Sequence, residues 1–210
     1  MIYRNRVDAG EKLAEALADK YKDAHPVVLA LPRGGVPVAA PVAKRLDAPL
    51  DVFVVRKLGV PGHEEYAMGA IATGGVHVLN EGVMRQMGIS EQEMLRVAGR
   101  EQEEMKRREK AYRGDRPYPN LEGRTVIIVD DGLATGATIR AAVLGVRAYN
   151  PARIVAAAPV GSREACSALG RVADEVVCLS TPANFGGVGA WYDDFSQTSD
   201  DEVRDLLQME

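Results

Sequence analysis

Thr125-Val126-Ile127-Ile128-Val129-Asp130-Asp131-Gly132-Leu133-Ala134-Thr135-Gly136-Ala137-Thr138 is the most informative segment of the chain. Its four β-branched apolar residues, Val126 to Val129, predict a buried strand that ends in two acids. A turn of Gly, Ala and Thr then leads into a helix. A helix N-terminus carries unpaired N–H groups and the positive end of the peptide dipole, so it attracts phosphate. Small residues let the backbone wrap that phosphate closely, and the hydroxyls of Thr135 and Thr138 add donors. Asp130 and Asp131 need another partner, because like charges repel there. Sugar hydroxyls suit them, and Mg²⁺ would screen them from phosphate. The segment therefore reads as a ribose-phosphate site beyond the carboxyl end of a strand. It is not a Walker loop, since no Gly-Lys-Ser/Thr follows.

Outward from this segment the chain keeps an α/β rhythm. A capped amphipathic helix is predicted over 8–22, with Asp8 and Glu11 at its start, and a buried strand over 26–31. The strand breaks at Pro32-Arg33-Gly34-Gly35, and a helix resumes through Val38, Val42 and Leu46. A second strand over 50–55 runs into Arg56-Lys57, which completes a βαβ unit of a parallel sheet. The glycines and proline of 59–65 predict a loop, and 67–72 with 76–79 a hairpin about Thr73-Gly74-Gly75. A long charged helix is expected over 90–112, with a capping box at Ser90 and Glu93 and a weak point at Gly99. A proline-broken linker covers 114–123. Beyond the central segment come a helix over 138–149, a strand over 153–158, a helix over 162–169 and a strand over 175–179. The tail turns aromatic, and a short helix over 200–207 closes it.

Composition bounds the function. The 210 residues carry 26 Lys and Arg against 30 Asp and Glu, a net charge of -4 that provides no global field for nucleic acid. No apolar run reaches the length of a membrane span, and a cytoplasmic location is expected. Cys166 and Cys178 lack metal-ligand spacing and lie in apolar stretches, so they are expected reduced, buried and inert. His25, His63 and His77 are scattered, which argues against a structural zinc site.

The Asp130 to Thr138 turn resembles the 5-phosphoribosyl 1-pyrophosphate (PRPP) signature of type I phosphoribosyltransferases, and the likeness extends over about 27–179. The resemblance implies one α/β domain over 1–210 with a five-stranded, mainly parallel sheet. Its core would span 24–180, a flexible flap 58–80, and a small hood 1–23 with 181–210. Asp130 and Asp131 would hold the ribose hydroxyls, and Gly132, Leu133, Ala134, Thr135, Gly136, Ala137 and Thr138 would grip the 5-phosphate. Arg33, Gly34 and Gly35 follow the first strand, where the family keeps a pyrophosphate loop whose peptide is often cis without a following proline. Arg56 and Lys57 look like the family's basic pair before its flap, and Lys57 joins the two acids as a catalytic candidate. His63, Glu64 and Glu65 are flap residues placed to close over the ligand.

Val188, Trp191 and Asp193 resemble the base-lining segment of 6-oxopurine enzymes. Gly161 stands where those enzymes carry lysine, so a purine acceptor is one option among bases. The implied chemistry is displacement of pyrophosphate from PRPP-Mg²⁺ by a ring nitrogen, driven by positioning and electrostatics. Two alternatives use the same fold: a PRPP or nucleotide sensor, and a ribose-phosphate hydrolase or phosphorylase. Partners would be small molecules. The 90–112 helix would cover the site or pair two subunits in a homodimer.

Overall fold

The computed structural model describes residues 1–208. It runs α1 (Arg6–Tyr21), β1 (Val27–Ala30), α2 (Gly35–Leu46), β2 (Leu50–Val52), β3 (Val55–Val60), β4 (His63–Ala72) and β5 (Val76–Leu79). Then follow α3 (Glu81–Gln86), α4 (Glu91–Arg113), β6 (Thr125–Val129), α5 (Ala137–Arg147), β7 (Arg153–Val160), α6 (Arg163–Leu169), β8 (Glu175–Ser180) and α7 (Asp200–Gln208). The last two residues of the expected hood lie outside the described residues.

Five strands pair in the order β2-β1-β6-β7-β8, all parallel. Both faces of this sheet are covered, which is why its strands read as continuous apolar runs. Alternate residues feed opposite cores. Val28, Ala30, Ile127 and Val129 pack under α1, α2 and α7, against Leu13, Leu17, Val42 and Val203. Leu29, Val126, Ile128 and Ile154 pack against Ile139, Val143 and Val146 of α5 and Leu169 of α6. The chain winds one way from β1 to β2 and the other way from β6 to β8. The order reverses between β1 and β6, which opens a crevice at their carboxyl ends.

A second, antiparallel sheet, β3-β4-β5, stands beside the first and packs on α4. Leu58, Val60, Met68 and Ile71 meet Met94, Val97 and Met105 there. The expected single strand over 50–55 is therefore two. Phe53 still donates to the Ala30 carbonyl (3.0 Å), but Val54 exchanges bonds with Thr73 (2.9 Å to its N–H, 2.8 Å to its Oγ1). That turn of the β4–β5 hairpin captures the chain and pulls it out of the parallel sheet. The expected loop over 59–65 is mostly strand as well, with only Pro61 and Gly62 left as the turn. His63, Glu64 and Glu65 sit on β4, exposed.

Helix α1 starts earlier than its apolar pattern predicts. Asn5 is the cap, accepting from Asp8 N–H at 2.9 Å, and Asp8 accepts from Arg4 N–H at 3.0 Å. The shift places Arg6 at the first helical position. Helix α4 has the predicted Ser90–Glu93 capping box and runs unbroken through Gly99. Among the described residues no helix is long and apolar enough to cross a membrane.

Candidate functional site

Two loops meet at the crevice between β1 and β6. Leu31 continues β1 and donates to the Val129 carbonyl at 3.0 Å. The Pro32–Arg33 peptide that follows is cis, as the pyrophosphate-loop likeness implied. Gly34 lies against the β6 acids. A Cβ there would fall 2.2 Å from Asp131 Oδ2 although the backbone φ is an ordinary -61°. Close approach, rather than a special dihedral, is what demands glycine at this position. The Gly35 N–H is already taken within the loop. It donates to the Leu31 carbonyl at 3.0 Å, closing the turn into α2.

Beyond β6 the second loop hangs from β7 and α6. Leu133 donates to the Val160 carbonyl (3.0 Å), Ser162 N–H to the Leu133 carbonyl (2.9 Å), and Ser162 Oγ to the Ala134 carbonyl (2.8 Å). Gly136 caps α5 in the left-handed region (φ 76°). Ala134, Thr135, Ala137 and Thr138 are exposed around the N-terminus of α5. Thr135 Oγ1 accepts from Ala137 N–H at 3.3 Å. This is a small-residue rim on a helix terminus, the form that holds a phosphate.

Asp130 Oδ1 accepts from Asp131 N–H at 2.9 Å. Burial and the adjacent Asp131 carboxylate push Asp130 well above the usual carboxylate range. Burial raises Asp131 too, while Arg6 pulls it back. Arg6 Nε donates to Asp131 Oδ2 at 3.0 Å, both side chains being largely buried. Arg6 also reaches the Ser196 carbonyl (2.6 Å) and lies 4.0 Å above the Phe195 ring. Sequence reasoning missed Arg6, and its one signal was Asn5-x-x-Asp8, a cap three residues before the apparent helix start.

A cavity of about 450 Å³ opens next to these loops. Its wall includes Arg33, Arg56, Lys57, Glu101, Arg108 and Thr138. The structure thus brings together the expected pyrophosphate cations and one residue of the phosphate turn. Asp130 and Asp131 border the glycine loop, and Asp131 meets Arg6, next to that wall rather than in its lining. Arg56 and Lys57 are not at an end of the parallel sheet as expected but inside β3, because the chain changes sheets before them. Arg56 is held by Glu101 at 2.8 Å, and Lys57 donates to the Glu65 carbonyl at 3.2 Å.

The hood forms from both chain ends. Tyr3 and Tyr192 pack as tilted rings with centroids 5.6 Å apart, Tyr192 and Phe195 likewise at 5.1 Å, and Tyr192 Oη donates to the Asp131 carbonyl at 2.6 Å. Val188 packs on Gly132, where a Cβ would meet its Cγ1 at 2.4 Å. Trp191 Nε1 donates to the Phe185 carbonyl at 2.7 Å, and Asp193 is exposed. Cys166 and Cys178 are half-buried rather than buried, since β8 is an edge strand under a two-turn helix. Their thiols converge beside Gly161, and that contact lowers Cys166 and raises Cys178.

Residues 1–194 match the model of the phosphoribosyl transferase domain. The chain belongs to this family. It is 50% identical over 202 residues to a protein named putative phosphoribosyl transferase in two strains of Mycobacterium tuberculosis, CDC 1551 and H37Rv. The match takes in 96% of this chain but 45% of theirs, so the chain spans less than half the length of these curated relatives. The crystal structure of TT1426 from Thermus thermophilus superposes with a TM-score of 0.88 at 46% identity, covering 99% of this chain and 98% of that one. A hypothetical protein from Neisseria gonorrhoeae superposes at 0.52 with 14% identity, over 99% and 95% of the two chains, which shows the fold alone. Family membership accounts for the five-stranded parallel sheet with helices on both faces, the type I arrangement that the Asp130 to Thr138 turn implied.

Proposed function

We propose that this chain binds PRPP with Mg²⁺ and transfers its ribose 5-phosphate to a nitrogenous base, releasing pyrophosphate. The observation that carries the reading is the meeting of the Pro32–Gly35 loop with the Asp130–Thr138 turn across the switch point of the sheet. The N-terminus of α5 suits the 5-phosphate, and Arg33, Arg56 and Lys57 on the neighbouring wall suit the pyrophosphate. Asp130 and Asp131 lie between them in the chain's path, where a ribose diol would be placed.

Among the described residues no group of three or more His, Cys, Asp or Glu forms a cage for a metal. Two carboxylates fit Mg²⁺ that arrives on the ligand's phosphates and keeps much of its water. Brought in by PRPP, it would lie near Asp130 and Asp131, whose carboxylates hold the ribose diol, and it would offset charge on the departing pyrophosphate. Arg6 opposes the rise that burial gives Asp131. Acceptor recognition belongs to the hood, where Val188 packs on Gly132, and Trp191 and Asp193 flank Tyr192, which donates to the Asp131 carbonyl. Gly161 offers no side-chain donor to a 6-oxo group, so the base is left open within the nitrogenous class.

Thermal unfolding tests ligand choice. With PRPP and Mg²⁺ at a hundredfold excess over Kd, stabilisation of about 2.7 kcal/mol is expected. No shift at millimolar PRPP overturns the reading. Turnover with a panel of bases separates transfer from its rivals: nucleotide with pyrophosphate means transfer, pyrophosphate without a base means hydrolysis, and binding alone means a sensor.

Hydrogen exchange tests the flap. The tip of the β3–β4 ribbon, Pro61 to Ala67, is exposed, whereas Met68, Ala70, Ile71 and Ala72 are buried. Exchange is expected to be fast at the tip without ligand and slower with PRPP and Mg²⁺, while the base stays protected in both. Equal protection of the tip in the two states argues against closure.

A further inference from the structure

Helix α4 carries a dense run of charge, yet one face of it is built into the molecule. Glu101, Arg108 and Tyr112, at i, i+7 and i+11, line the cavity beside the two loops. Three polar anchors fix the helix there. Glu101 accepts from Arg56 at 2.8 Å, Glu109 accepts from Thr73 Oγ1 at 2.7 Å, and Arg113 donates to both oxygens of Asp51 at 2.9 and 2.7 Å. A helix held in this way presents its inner groups at set positions, so a ligand meets them with less ordering left to do.

The cations on that wall differ in how far their charge is already answered. Arg56 has Glu101 to itself. Glu104, in contrast, serves two guanidinium groups. Arg107 takes both of its oxygens at 2.9 and 2.6 Å, and Arg108 reaches Oε1 through Nε alone, at 3.1 Å. One carboxylate between two arginines leaves a net positive charge, and the terminal nitrogens of Arg108 stand outside the pair. Arg33 is 3.5 Å from Asp200 at the same place. A smaller recess of about 190 Å³, lined by Arg33, Arg107, Arg108, Tyr112 and Asp200, continues the cavity in this direction. Thr138, on the first turn of α5, is the residue of the small-residue turn that lies on the cavity wall.

We infer that Arg108 of α4, working with Arg33, binds the pyrophosphate end of the ligand. This rests on the PRPP reading above and adds to it a residue from outside every loop that carries the family likeness. The guanidinium fork matches two phosphate oxygens at once, and an anion entering the recess would replace the weak Arg33–Asp200 pair with a stronger one.

Calorimetry with Mg²⁺ and two half-ligands, pyrophosphate and ribose 5-phosphate, tests the assignment on the whole chain. Arg108→Gln is expected to weaken pyrophosphate about tenfold or more while ribose 5-phosphate stays within about twofold, because one charge-assisted contact is lost at one end only. Arg108→Lys should recover part of the loss. Lys106→Gln makes the same change of charge on the exposed, opposite side of α4 and should leave both affinities unchanged. Equal loss of both half-ligands in Arg108→Gln, no loss of either, or an equal effect of Lys106→Gln each overturns the assignment. A native protein that binds neither half-ligand overturns the PRPP reading itself, a result distinct from an unaffected variant.

Discussion

Replacing Asp130 and Asp131 together by Asn is expected to weaken PRPP binding by about tenfold at the least, because hydroxyls give up charge-assisted bonds worth roughly 1.5–3 kcal/mol each. Geometry keeps the fold intact in this variant. An amide oxygen at position 130 can still accept from the next N–H, and one at 131 can still accept from Arg6 Nε. The single variants should part in stability. A carboxyl raised above its unfolded value costs the fold stability as pH rises through that raised value, so its neutral replacement helps at neutral pH. Asp130, raised by burial and by Asp131, should therefore give a higher Tm as Asn. Asp131 is raised less, because Arg6 opposes the effect of burial there, and Asp131→Asn also removes the counter-charge of a guanidinium that is 12% exposed, so it should gain less Tm than Asp130→Asn. Affinity and melting measured on the same variants decide the matter. Unchanged PRPP affinity in the double variant would make the acids scaffold, and the ribose-phosphate reading would fall with them.

Arg113→Ala is expected to cost about 3 kcal/mol, a fall in Tm of about 6–12 °C for a chain of this size. Asp51 is 1% exposed at the edge strand β2, and Arg113 meets both of its oxygens. Removing the guanidinium strands a buried carboxylate, which accounts for most of the loss. Arg116, 3.3 Å from Asp51, offers partial relief and holds the cost to the lower end of the usual range. The same change frees the C-terminal end of α4, so ligand affinity should fall along with stability. Asp51→Leu combined with Arg113→Met should regain much of the lost stability, since an apolar pair of similar volume carries no desolvation cost. A melting temperature within about 2 °C of the native value in Arg113→Ala would mean that Arg116 alone satisfies Asp51.

The parallel sheet and its switch point were legible because their signals are local. Val126 to Val129 can only be a doubly covered strand, and the small-residue turn before α5 has few other uses. Ser90 with Glu93 marked the start of α4 for the same reason, since a capping box is complete within four residues. Errors fell where a distant group competed for the backbone. Val54 continues an apolar run, but Thr73, nineteen positions on, takes its hydrogen bonds and sends the chain into a second sheet. Gly59 to Glu65 has the composition of a loop and yet pairs as a ribbon, because β4 and α4 supply it with an apolar base.

The sequence by itself determined the α/β alternation, the small-residue turn before α5, the acid pair at the end of β6 and the Pro32–Gly35 turn after β1. Each depends on neighbours a few residues apart, and hydrophobic period and cap chemistry report on those directly. Only the tertiary structure decided which side chains come together: Arg6 on Asp131, Glu101 on Arg56, Arg113 on Asp51, and Arg108 with Thr138 in the lining of one cavity. These contacts join residues 45 to 125 positions apart where they are hydrogen-bonded. Their geometry is set by how helices and sheets stack, and stacking has no signature within any one segment of chain.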